Sequence, residues 1–298
     1  MSSHTAAVLQ ALFVTFLWST SWVLIRVGLE DIPALTFAGL RYTIAFLCLL
    51  PLVLRRGELK PVRQLSRRRW RQLITLGLLF YAVTQGAMFV SLFYLPAVSV
   101  SLLLSFSPVV VALLAIGFLN ERPSLGQWIG TAIFLLGVVI YFLPADFGGG
   151  EVIGLVVAVT GVLANALSSI LGRDVNRRRD LSPLAVTVVT MGIGGMALLV
   201  ASIAVEGLPS LSLNNWAIVL WLAVVNSALA FTLWNHTLRT LSAMESSVIN
   251  NTMLIQIAIL AWLFLDETLS GRQIVGLILA AVGALVVQLR GQNATRGD

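Results

Sequence analysis

Ten apolar runs, each about 20 residues long, divide this chain, and that length is what a helix needs to cross a hydrocarbon core of roughly 30 Å. They cover residues 6–28, 33–54, 71–94, 97–119, 124–143, 152–173, 182–205, 214–238, 244–265 and 269–289. Hydrocarbon offers no partner to amide or carbonyl groups, so each run must satisfy its own backbone. The expectation is an all-α membrane protein with ten transmembrane helices. The runs are too long for barrel strands and lack their alternation. A composition of 58% hydrophobic and 11% charged residues lies outside the soluble range and agrees. Residues 1–5 hold no Lys or Arg, so the first run is read as a retained helix and not a cleaved leader. The single cysteine, Cys48, falls inside the second run and leaves no intrachain disulfide.

The net charge of +6 is distributed as membrane topology requires. Arg55, Arg56, Lys60, Arg63, Arg67, Arg68, Arg69 and Arg71 lie between or at the ends of runs two and three, and Arg173 with Arg177 to Arg179 between runs six and seven. Placing these and Arg290 and Arg296 in the cytoplasm puts both termini there and sends Glu30, Asp31, Asp146, Glu151 and Glu206 outward. The Arg67–Arg69 run thus reads as a topology signal in contact with anionic membrane lipids, with no nucleic acid partner.

The phrase "FLNERPSLGQWIG" at 118–130 returns as "FLDETLSGRQIVG" at 264–276, a shift of 146. The same shift superimposes Trp70 on Trp216, Leu76 on Leu222, Ala97 on Ala243, Glu121 on Glu267, Gly130 on Gly276 and Gly137 on Gly283. The chain therefore reads as two five-helix halves, 1–145 and 146–298, forming one transport domain. Five is odd, so the second half enters the membrane from the opposite side. This 5+5 inverted repeat suits a central site that faces either side in turn, by alternating access.

"LWSTSWVLIRVGL" in the first run, "PALTFAGLRYTIAF" in the second, the two repeated phrases, and the Glu-x8-Gly-x6-Gly spacing in both halves resemble the EamA-type branch of the drug/metabolite transporter superfamily. The likeness covers essentially the whole chain, and within the branch it is nearest to YddG-type exporters. It implies a secondary transporter of the cell inner membrane that exports amino acids, aromatic and other neutral ones, and related small metabolites. No cofactor is expected, and the chain is expected to act as a monomer. A pump driven by ATP is excluded independently, because Lys60 is the only lysine and no glycine-rich loop precedes it. An intramembrane enzyme or metal site would have to be built from one Cys, two His and no acid at membrane depth.

A rise of about 1.5 Å per residue places positions ten to thirteen of a run near the midplane. Trp18, Gln85, Ser105, Ser107, Asn165, Ser168, Asn226, Asn251 and Gln256 fall there. Such groups avoid lipid. They either tie helices together, at about 0.6–2 kcal/mol per hydrogen bond, or line a cavity. For the set, a substrate cavity is expected, with Trp18, Trp22, Tyr81 and Trp234 receiving an apolar side chain. Arg41, about 12 Å into the second run, either snorkels or pairs with a loop acid such as Glu267 or Asp31, or else anchors a substrate carboxylate near the outer mouth. Pro108 is expected to kink the fourth run. Glu121 and Glu267 are expected to favour the starts of the fifth and tenth runs through the helix dipole. With no acid at a helix centre, uniport is preferred over proton antiport, and His236 is a weak relay candidate. The alternative is a proton-coupled exporter of drugs or cationic metabolites, which would want a negative cavity. Glycines seven apart, Gly130 with Gly137, Gly276 with Gly283 and Gly154 with Gly161, predict bare faces for close packing.

Overall fold

The computed structural model describes residues 3–107, 109–111, 114, 125–143, 148–177, 180–207, 209–237, 240–241 and 243–294. Among them there is no strand, and the helices are α1 (Ser3–Gly28), α2 (Ala34–Arg55), α3 (Arg67–Tyr94), α4 (Ala97–Leu104), α5 (Leu125–Phe142), α6 (Gly149–Arg177), α7 (Pro183–Glu206), α8 (213–237), α9 (Ala243–Phe264) and α10 (Gly271–Ala294). Seven helices are long and apolar enough to cross a membrane, and three shorter apolar helices, Ala97–Val111, Thr252–Phe264 and Gly271–Val287, accompany them among the described residues. The protein is thus an all-helical, multi-pass membrane protein. The expected kink at Pro108, and Glu121 with the rest of its phrase up to Ser124, lie outside the described residues.

Local chemistry sets the helix starts. Ser66, Ser182 and Ser212 each accept a hydrogen bond from the amide three residues on, at 3.3, 3.0 and 3.2 Å, which satisfies one orphan donor of α3, α7 and α8. Helix α10 begins on a reciprocal box in which the Ser270 amide donates to Gln273 Oε1 at 2.9 Å and the Gln273 amide to Ser270 Oγ at 3.3 Å. Helices α2 and α4 begin after Pro33 and Pro96, which bring no capping side chain. Distant carboxylates serve them instead. Glu206, ending α7, accepts from the Leu35 and Thr36 amides at 3.1 and 2.8 Å, and Glu267 accepts from the Ala97 and Val98 amides at 2.7 and 3.2 Å. The dipole effect expected for Glu267 is real but acts on α4 and not on its own helix, where Ser270 and Gln273 already fill the start.

Two of the long helices are not uniformly α. Leu78–Thr84 in α3 and Val224–Leu229 in α8 are π turns, and their starts are 146 residues apart. A π turn opens the backbone and misaligns one carbonyl, which a side-chain donor can then satisfy. Thr84 Oγ1 donates to the Leu79 carbonyl at 2.8 Å in the first, and α1 supplies the partner in the second.

Glycines decide which helices touch. Helices α5 and α10 meet backbone to backbone: a Cβ on Gly137 would lie 2.5 Å from the Ala280 nitrogen, and one on Gly276 would lie 2.7 Å from the Gly137 carbonyl oxygen. Gly130 and Gly283 repeat the contact two turns along. Helix α2 lies in the same way on α7, where Gly39 faces the Leu199 backbone at 2.7 Å and Gly195 faces Tyr42 Cβ at 3.0 Å. Gly154 faces Tyr94 and Leu95, which seats α6 on α3. Lipid tails give helices no hydrophobic reason to associate, so this contact area is what holds the bundle. The outer faces keep exposed apolar residues such as Val156, Val200 and Ile278, as a lipid-facing surface should.

Gly137→Ala forces α5 and α10 apart and is expected to destabilise the protein by about 1–3 kcal/mol. Gly149→Ala meets nothing within 4 Å. Thermal unfolding in detergent should show a clear drop for the first and no loss for the second.

Candidate functional site

The π turn of α8 organises the interior. Its Asn226 main-chain carbonyl accepts from Trp18 Nε1 at 3.1 Å, and the Asn226 side-chain amide donates back to the Leu17 carbonyl and to Thr20 Oγ1 at 3.1 Å. This double tie fixes α1 against α8. The Trp18 ring also packs on Phe231 and Trp234, with centroids 5.3 and 5.2 Å away. Trp18 and Trp234, expected together from sequence, are indeed brought together.

The next residue of the same turn reaches another helix. Ser227 Oγ accepts from Arg41 Nε at 3.0 Å, and the Arg41 guanidinium lies 5.2 Å from the centroid of the Tyr42 ring. Tyr42, rotated about 100° from Arg41 on α2, points at α3, where its hydroxyl donates to Gln85 Oε1 at 2.6 Å and Tyr81 packs edge-on at 5.4 Å. Tyr81 and Ser227 are themselves 146 residues apart, one from each π turn. A continuous polar path therefore runs from Trp18 through Asn226, Ser227, Arg41 and Tyr42 to Gln85, across α1, α8, α2 and α3.

The electrostatics of this path are unusual. Arg41 is 4% exposed and Asn226 fully buried, yet among the described residues Arg41 Nη1 and Asn226 Oδ1 have no hydrogen-bond partner. Leaving a buried polar group unpaired costs about 1–3 kcal/mol, more for a charged one. The ion pair anticipated for Arg41 is not formed. Asp31 is taken by Asn215 Nδ2 at 3.1 Å, and Glu267 by the start of α4. A helix-end acid is already engaged at its own end of the bundle, while the π turn draws the guanidinium inward to a hydroxyl. Among the described residues Arg41 has no carboxylate partner.

Other candidates lie off this path. Gln256 accepts from Ser19 Oγ at 2.9 Å and donates to Thr15 and Thr252 hydroxyls at 3.3 and 2.9 Å, which ties α1 to α9. Asn165 Nδ2 donates to Ser107 Oγ at 2.9 Å, joining α6 to the segment after α4. Ser105 and Ser168 donate to carbonyls of their own helices, Ser101 and Asn165, both at 2.8 Å. Trp22 and Tyr81 both belong to the main apolar core, apart from the Trp18 group. His236 is exposed, 3.4 Å from Gln10 Oε1. The side chain of Asn251 lies outside the described residues. Trp128, Trp216 and Trp221 are exposed, and Trp70 is half-buried against a smaller apolar cluster. Among the described residues no three His, Cys, Asp or Glu side chains cluster as a metal site would require.

Sequence reasoning missed Tyr42, Ser227, Thr20 and the Thr15–Ser19 pair. Only Tyr42 had a visible signal, its place beside the one arginine well inside a run. Serine and threonine in membrane helices commonly bond their own backbone, as Thr20 does to the Leu17 carbonyl at 2.7 Å, so their presence alone singles out nothing.

A model of the EamA-like transporter family matches residues 5–143 and again 152–289. The chain is 25% identical over 279 residues to a Bacillus subtilis protein described as the uncharacterized transporter YoaV, covering 91% of this chain and 92% of that one. It is 27% identical to the Escherichia coli uncharacterized inner membrane transporter YedA (78% and 74% covered) and 29% identical to protein PecM of Dickeya dadantii (74% and 73%). A solved crystal structure shares the fold at a TM-score of 0.66, with 21% identity over 96% of this chain and 98% of that one.

Ser227→Ala removes the one side-chain hydrogen bond that the Arg41 guanidinium makes among the described residues and should cost about 1.5–3 kcal/mol, the value of a bond to a charged group. Ser227→Thr keeps the hydroxyl and should recover most of it. Thermal unfolding of the purified variants reads both.

Proposed function

Because the chain belongs to the EamA-like transporter family, we propose that it exports amino acids, chiefly aromatic and other neutral ones, across the inner membrane as a secondary transporter. Membrane transport of small molecules is what the family and its named relatives do. The observation that carries the finer reading is the pair of orphan atoms, Arg41 Nη1 as donor and Asn226 Oδ1 as acceptor, on one polar path inside the bundle. A zwitterion satisfies both at once. Its carboxylate meets the guanidinium, in the charge-assisted geometry arginine favours, and its ammonium group meets the amide oxygen. The Trp18, Phe231 and Trp234 rings give an apolar or aromatic side chain a face to lie on. A central cation counts against cationic drugs or metabolites. The path holds no carboxylate among the described residues, which favours uniport over proton coupling.

We also propose the ten-helix, 5+5 inverted arrangement with cytoplasmic termini. Support comes from the π turns starting 146 residues apart, the reciprocal glycine contacts of α5 with α10, and the two successive matches of one family model. Alternating access follows from two halves that can exchange roles about a shared centre.

Purified protein in liposomes should exchange neutral and aromatic amino acids in counterflow without a pH gradient. Absence of transport for every such amino acid would refute the substrate class, and strict dependence on a pH gradient would refute uniport. Arg41→Gln is expected to lower counterflow about 10- to 100-fold, the value of a charge-assisted hydrogen bond. The methyl ester of a good substrate, which lacks the carboxylate, should be poor with the unaltered protein.

A further inference from the structure

The arginines at the start of α3 divide into two roles by helical register. Arg69 turns inward and is 8% exposed. It grips Asp180 with two nitrogens, at 2.9 and 2.6 Å, and donates further to the Val175 carbonyl at 3.3 Å and Gln72 Oε1 at 2.8 Å. Gln72 in turn donates to Asp174 Oδ2 at 3.0 Å. The start of α3 is thereby fastened to the end of α6, and both nearby acids are engaged. Arg68 and Arg71, three residues apart and so on one face, remain exposed, and neither forms an ion pair among the described residues.

Arg68 and Arg71 line a pocket of about 490 Å³ with Gln72, Thr75 and Leu171 of α6. Positions 68, 71, 72 and 75 are a single stripe of α3. One turn deeper the stripe ends on Leu78, 38% exposed, and Leu167, one turn from Leu171 on α6, is 39% exposed. The pocket is cationic, and exposed apolar side chains lie one turn further along both helices.

We propose that this pocket binds the headgroup of an anionic phospholipid. The phosphodiester sits between the Arg68 and Arg71 guanidinium groups, with the Thr75 hydroxyl as a further donor, and the acyl chains lie over Leu78 and Leu167. Basic pockets between membrane helices at the headgroup level suit such ligands. A free phosphate could use the charges but not the apolar surface beneath them, and the exposed leucines therefore select the lipid. General attraction of the whole basic segment to an anionic surface would not distinguish these two arginines from Arg55 or Arg63, which are also exposed.

The test is native mass spectrometry of the intact protein in detergent with phosphatidylglycerol or phosphatidylcholine at equal concentration, repeated with inorganic phosphate as competitor. The unaltered protein should retain one phosphatidylglycerol in preference to phosphatidylcholine, and phosphate should not displace it. Arg68→Gln with Arg71→Gln should weaken that binding about 30-fold, from about fivefold per arginine. Arg55→Gln with Arg63→Gln, outside the pocket, should leave it unchanged. Equal loss in both double variants, no loss in the first, or displacement by millimolar phosphate overturns the proposal. All four arginines are exposed, so folding is not at stake in the comparison.

Discussion

The absence of hydrogen-bond partners in hydrocarbon governs this molecule, because every backbone group that leaves the regular α pattern must find a substitute inside the protein. The substitutes are specific. The proline-led starts of α2 and α4 take the carboxylates of Glu206 and Glu267 from the ends of other helices. The end of α3 takes Arg26, whose guanidinium donates to the Leu92 and Phe93 carbonyls. The π turn of α8 takes the Trp18 indole. Each repair of a local defect also joins two helices, so the irregularities are what fix the tertiary arrangement.

The same economy explains the interior path. The π turn in α8 presents Asn226 to α1 and Ser227 to α2 from adjacent positions. That geometry carries a buried arginine to a hydroxyl and leaves one nitrogen unpartnered. Burying such a group without a counter-ion costs stability. The glycine faces of α5 and α10 form a rigid contact, and neither helix contributes to the path.

The all-helical membrane class was legible in apolar run length, and the glycine contacts in spacings of seven. The candidate site was legible in part. Asn226, Trp18, Arg41 and Gln85 were marked by residue type and depth, and the structure places them along one path, with Trp234 packed on Trp18 and Tyr81 on Tyr42. Depth alone also marked Gln256, Asn165, Ser105 and Ser168, which lie off it, since depth gives height in the membrane but no azimuth. Glu267 was assigned to the helix that follows it, and the structure gives it to α4, because a carboxylate four residues ahead of a self-capped helix is free to reach a neighbour.

The sequence by itself determined that the backbone would be helical, that the protein belongs in a membrane and which faces are bare enough for backbone contact. Those follow from solvation and steric size, properties a residue carries wherever it is placed. Only the tertiary structure decided which helices meet, where the backbone opens into π turns, which acid caps which helix and which buried atoms stay unpaired. Those depend on contacts between residues some 170 to 210 positions apart, such as Leu17 with Asn226 and Thr36 with Glu206, and no local pattern encodes a pairing over that distance.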